Sequence, residues 1–124
     1  MPEDRRKQLG DEGEEQACRL LRRSGYRILE RNYRTRIGEL DAVAFEDGEL
    51  VFVEVRSRSG EGFGSGAESV GPRKQRQLIK MAQVYMQDRR VSPEQTCRFD
   101  VVELEPLGGG RWDGSLIRDA FSAE

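Results

Sequence analysis

The chain has 124 residues, enough for one domain with a core able to hold a site rigidly, and its 35% apolar and 35% charged residues fit a charge-rich globular protein. No apolar run reaches membrane-spanning length, and the start MPEDRRKQLGDEGE lacks the apolar segment of an export signal, so a cytoplasmic protein without a membrane partner is expected. The net charge of -2 gives no global attraction to nucleic acid, and the absence of histidine removes the commonest general base and transition-metal ligand.

In chain order, residues 1–8 are polar and expected to be frayed. From about Asp11 to Arg23 the spacing predicts a helix, with Ala17, Cys18, Leu20 and Leu21 as its apolar stripe and Ser24-Gly25 as its stop. Glu14 precedes Ala17, Cys18 and Leu21 by three, four and seven positions, which puts it on the buried side. Asp11 stands three residues ahead of it, so a capping-box role is the competing assignment.

Tyr26 to Leu29 reads as a short edge strand, followed by RNYRTR as a basic connection. Seven arginines (Arg19, Arg22, Arg23, Arg27, Arg31, Arg34 and Arg36) fall within eighteen residues against the single Glu30. Such a run is either an ordinary solvated surface or a phosphate-holding one. Arg31, Arg34 and Arg36, with Arg58 further on, are the candidate nucleic-acid contacts.

Two apolar runs, Leu40–Phe45 and Leu50–Val55, flank Asp47-Gly48, a dipeptide suited to a primed hairpin turn. Paired positions then sum to about 95. Val43 faces Phe52, Ala42 faces Val53, Asp41 faces Glu54 and Glu39 faces Arg56. Val43, Phe45, Leu50 and Phe52 share one face, and Leu40, Ala42, Ala44, Val51, Val53 and Val55 the other. A hairpin apolar on both faces belongs inside a covered sheet. Carboxylates facing each other at Asp41 and Glu54 repel unless a cation lies between them, and their oxygen donors suit a hard cation such as Mg2+ or Mn2+. A salt bridge from either acid to Arg56 or Arg36 is the simpler alternative.

The stretch 59–71 is glycine-rich and is expected to be a flexible loop without a nucleotide-cradling motif. Pro72 opens a second helix running to about Asp88, with Leu78, Met81, Ala82 and Tyr85 as its core stripe. Lys74 lies one turn ahead of Leu78 and is a candidate to point toward the sheet, against the simpler reading of a solvated lysine in a first helical turn. Arg98–Leu104 alternates as a strand, and the intervening helix has the length of a crossover, so parallel pairing with the Glu54 strand is expected. The closing segment with Trp112, Leu116, Ile117, Ala120 and Phe121 supplies a short edge element or an apolar tail. Cys18 and Cys97 lack metal-ligand spacing and are expected to be two buried thiols.

A glutamate on the first helix, an aspartate on one strand and Glu54-Val55-Arg56 on the next resemble the restriction-endonuclease-like superfamily. GEEQA, RNYRTRIGELDAVAFEDGELVFVEVRSR, AESVGPRKQRQLIKMAQVY, CRFDVVEL and IRDAF together resemble the YraN family of small bacterial proteins, related in fold to archaeal Holliday-junction resolvases. The resemblance implies an α/β, restriction-endonuclease-like domain with a mixed central β-sheet flanked by helices. It implies a metal-dependent endonuclease on DNA, branched or otherwise structured, with Glu14, Asp41, Glu54 and the Val55 carbonyl around Mg2+ or Mn2+. Arg56 occupies the position where the superfamily carries a lysine. Lys74, also present in the YraN-like pattern, is the substitute that arrives from another element. RNA substrates and a homodimer are compatible with the resemblance. A nucleic-acid-binding or partner-binding protein that keeps the fold with little or no hydrolytic activity is the competing function, favoured by arginine at position 56 and by the acidic net charge.

Overall fold

A computed structural model describes residues 9–58 and 70–123. The expected frayed start, residues 1–8, and most of the glycine-rich loop, residues 59–69, lie outside the described residues. Helix α1 (Gly10–Arg23) leads into strands β1 (Arg27–Thr35), β2 (Gly38–Glu46) and β3 (Glu49–Ser57). Helix α2 (Pro72–Asp88) and strands β4 (Cys97–Gly108) and β5 (Arg111–Phe121) follow. The strands form one sheet in the order β1-β2-β3-β4-β5. Its pairs are antiparallel except for β3 and β4, which are parallel across the α2 crossover. This is the α/β, mixed-sheet, restriction-endonuclease-like architecture. No helix among the described residues is long and apolar enough to cross a membrane.

The sheet is dry on both sides because the central stretches of β2, β3 and β4 carry apolar side chains on both faces. On one side Val43, Phe52, Phe99 and Val101 pack with Leu78, Met81 and Tyr85 of α2. On the other, Ala42, Ala44, Val51, Val53 and Val102 pack with Ala17 and Leu21 of α1. The hairpin register is the expected one from Ala42↔Val53 to Glu46↔Glu49, and both turn residues have positive φ (Asp47 55°, Gly48 80°), as a primed turn requires.

The structure corrects several expectations. RNYRTR is not a connection: β1 continues through it to Thr35, with Tyr33 buried against α2 and a bulge between Ile28 and Glu30. An edge strand with one partner needs few apolar side chains, so the polar sequence misled. Leu40 packs with Val43, not with Ala42. The alternation slips at Asp41, beside Asn32, whose φ of 56° is a left-handed conformation that asparagine tolerates. The closing segment is an 11-residue strand rather than a short element. Asp11 lies inside the first turn of α1, whose N-cap is Leu9 without a side-chain cap, so no Asp11–Glu14 capping box forms. Cys18 is buried as expected, and burial raises its thiol pKa. Cys97 is exposed because it lines an open cleft of about 450 Å³ at the start of β4, together with Glu49, Arg98, Arg118 and Asp119.

A second polar cluster, on the α1 side, was not foreseen. Arg98 emerges from β4 and donates to Asp100 (3.0 Å), Glu49 (2.7 Å) and Glu46. Asp100 is fully buried and also accepts from the Tyr26 hydroxyl and, at 2.9 Å, from the Asp119 backbone N–H. Arg118 binds Glu46 at 2.6 Å, and both guanidinium groups lie over the Tyr26 ring. The two arginines, Arg118 foremost, hold the Glu46 carboxyl down to about 2 from its ordinary 4.5. A folded-state pKa below the unfolded value adds stability above the unfolded pKa, and that stability is lost as pH falls from about 4.5 toward 2. Arg118→Gln should therefore shift the acid-unfolding midpoint to higher pH, measured by circular dichroism between pH 6 and 2. An unchanged midpoint would remove this pair from the acid response.

Candidate functional site

Of the sequence-derived residues, Asp41, Glu54, Val55 and Arg56 lie where β2 and β3 cease to pair. The ladder ends at Ala42↔Val53, so the expected Asp41–Glu54 and Glu39–Arg56 pairs are not rungs of it. Instead the Asp41 carboxylate accepts the Val55 backbone N–H at 2.8 Å and takes the place of a ladder bond. This fixes a half-buried carboxylate just past the last rung between β2 and β3. Glu39 lies opposite Arg34 of β1, and its carboxylate is 3.4 Å from the Arg34 Nε.

Glu54 follows Phe52 by two positions and therefore projects to the α2 side. It is 3% exposed, and a carboxylate so desolvated needs compensating charge. Lys74, in the first turn of α2, places its Nζ 3.7 Å from Glu54 Oε2. The reach follows from the position of Lys74 one turn before Leu78, which is 3% exposed in the core. Arg56 projects to the same side and is also buried. Its register partner on β4 is the buried Glu103, a neighbour that sequence inspection missed because only the parallel register brings residues 56 and 103 together.

Glu14 is half-buried on α1, a helix that packs on the opposite side of the sheet. Among the described residues no three histidine, cysteine, aspartate or glutamate side chains are grouped to hold a metal ion. Asp41, Glu54 and Glu14 thus do not make a preassembled three-carboxylate centre. Asp41 and Glu54 still fit Mg2+ or Mn2+ by their chemistry. Such ions take oxygen donors, commonly one or two carboxylates, and fill the remaining positions with water and substrate phosphate.

The four candidate phosphate contacts are dispersed. Arg31 is 3.3 Å from Glu15 of α1, and Arg34 pairs with Glu39. Arg58 binds Asp113 at 2.6 Å and Ser115, both on β5. Arg36 is exposed just after β1. Exposed ion pairs are worth about 0–1 kcal/mol, so a phosphate can displace their carboxylates at little cost.

Residues 13–104 match the model of uncharacterised protein family UPF0102. A UPF0102 protein of Symbiobacterium thermophilum is 46% identical over 117 residues, covering 94% of this chain and 98% of that protein. A UPF0102 protein of Desulforamulus reducens is 51% identical over 98 residues (78% and 80%), and one of Pseudomonas savastanoi is 38% identical over 123 residues (99% and 100%). With the match running through both helices' core stripes, the hairpin and most of β4, the chain belongs to uncharacterised protein family UPF0102, the YraN family.

Proposed function

We propose that the chain is a metal-dependent phosphodiesterase, an endonuclease acting on DNA. The observation that carries this reading is the nearly fully buried Glu54 carboxylate, compensated by Lys74 from α2 and lying one residue before Val55, whose N–H anchors Asp41. Burying a carboxylate costs stability, and the same core side chain in apolar form would not incur that cost. Its retention with a cation and a second carboxylate fits a reactive centre better than a structural one.

Asp41 and Glu54 would hold Mg2+ or Mn2+, with the Val55 carbonyl carried over from the superfamily resemblance. The ion supplies Lewis acidity and an acidified water, the chemistry that phosphodiester hydrolysis needs. The Val55 N–H holds the Asp41 carboxylate in one orientation. Lys74 places positive charge beside Glu54, where negative charge on a phosphoryl group would develop. Arg56 cannot act as a general base, since its guanidinium stays protonated, but its planar fork suits a phosphate.

The arginine at position 56 favours a second reading, a nucleic-acid-binding protein of the same fold that does not cut. Labelled linear, flapped and four-way-junction DNA, incubated with Mn2+ or with EDTA, separates the two. Wild type should cut at least one substrate only with the metal, and a folded Asp41→Asn variant should cut none. Absence of cutting across the panel by folded wild type would favour the binding reading. Cutting that survives in Asp41→Asn would remove this site from the chemistry.

A further inference from the structure

The two helices of this chain treat the N-terminal ends of their dipoles in opposite ways. Helix α1 carries Asp11 and Glu12 in its first turn and Arg22 and Arg23 in its last, the arrangement that complements a positive N-terminus and a negative C-terminus. Helix α2 has no acid in its first turn and no base in its last. Arg73, Lys74 and Arg76 stand at its start and Lys80 at its middle, its one acid, Asp88, comes at the end, and Arg89 and Arg90 follow directly. Cations at a helix N-terminus oppose the dipole, so Arg73 and Arg76 do not serve helix stability, whereas Arg89 and Arg90 complement the other end.

Lys74 turns inward to Glu54. Arg73, Arg76 and Lys80 are exposed and form no ion pair among the described residues. Arg19, Arg31, Arg34, Arg58, Arg89, Arg98 and Arg118 do, while Arg22, Arg23, Arg27, Arg36, Arg90 and Arg111 likewise form none among the described residues. At 100° and 1.5 Å per residue, positions 73, 76 and 80 fall within an arc of about 60° and span about 10 Å along the helix. That length equals about three base-pair rises along a duplex axis. The rest of this exposed face carries amides at Gln77 and Gln83 and no aromatic side chain. Single strands are usually gripped by stacking aromatics, whereas cations and amides suit a phosphate backbone.

We infer that the exposed face of α2, through Arg73, Arg76 and Lys80, is a docking surface for the phosphate backbone of duplex DNA. It deepens the nuclease reading and rests on it for the choice of DNA. The same helix presents Lys74 to Glu54 on its inner side and this stripe on its outer side, about 150° around the axis from the core stripe, so one rigid element holds both. The unfavourable cations at the start of α2 follow from that docking task.

The test is fluorescence anisotropy of a labelled DNA duplex, in EDTA, as a function of salt. The Arg73→Gln/Arg76→Gln/Lys80→Gln variant should bind at least about tenfold more weakly at 0.1 M salt, and the slope of log K against log salt should shrink by about 2–3. Its Tm should not fall, since the lost charges opposed the dipole. The charge-matched control Arg19→Gln/Arg22→Gln/Arg23→Gln, on α1, should bind like wild type. Equal losses in both triples would reduce the effect to net charge and overturn the proposal, as would unchanged binding in the α2 triple or tighter wild-type binding to an RNA duplex of the same sequence. Loss confined to the α2 triple, with no cutting by wild type, would uphold the surface and reject hydrolysis. Asp41-dependent cutting with unaltered binding in the α2 triple would do the reverse.

Discussion

Arg98→Met should unfold much more readily than wild type, losing about 3–5 kcal/mol, the usual cost of removing one partner from a buried charge cluster. Arg98 has only 11% of its side chain exposed and is tied to Glu46, Glu49 and the fully buried Asp100. Removing it leaves Asp100 with the Tyr26 hydroxyl and the Asp119 N–H as neutral donors only. Glu46 would still have Arg118, so the cost falls mainly on Asp100. Against a typical domain stability of 5–15 kcal/mol, the loss should lower Tm by more than about 10 °C. Urea unfolding at neutral pH measures it. The double variant Arg98→Met/Asp100→Asn should recover part of the loss, because its buried side chain no longer carries a charge. A single-variant loss below about 1 kcal/mol would show that water reaches Asp100 and replaces the arginine.

This network also shows what a linear reading of the chain could reach. The Asp47-Gly48 turn fixed the hairpin register, and the spacing of Leu78, Met81, Ala82 and Tyr85 fixed the buried face of α2, because both depend on residues close in sequence. Lys74 was legible for the same reason, as one turn from Leu78. The Arg98 cluster was not, since it joins Tyr26, Glu46, Glu49, Asp100 and Arg118 from four strands and the turn before β1. Glu103 became a neighbour of Arg56 only through the parallel register. The hidden feature at the site itself was the slip at Asn32 and Asp41. Strict alternation would have set Asp41 opposite Glu54, whereas the chain ends that ladder at Ala42 and uses the Asp41 side chain to hold the Val55 backbone. Strand periodicity predicts faces only while the backbone stays regular, and here it departs from regularity where the chemistry is proposed.

On the nuclease reading, Lys74→Met should lower the cleavage rate about 10²–10³-fold, the scale expected for losing one charge that faces the developing transition state. Methionine keeps most of the stem that crosses the edge of the core and removes the ammonium. The effect should fall on kcat, since Arg56 and the α2 stripe remain to bind phosphate. Stability should also fall, by about 1–3 kcal/mol, because the Lys74 ammonium beside Glu54, which is 3% exposed, is removed. A structural role alone would produce that second effect without the first once assays are run well below Tm. Arg56→Lys separates the cases further. Arg56 projects from the same side of β3 as Glu54, two residues along, so a lysine there puts an ammonium where the superfamily has one. In the Lys74→Met background it should restore kcat by at least about tenfold, whereas a purely structural Lys74 leaves nothing for it to restore. Single-turnover rates at saturating DNA, for the two single variants and the double, complete the cycle. An unchanged kcat in folded Lys74→Met would remove Lys74 from catalysis and leave it as a counter-charge to the buried Glu54.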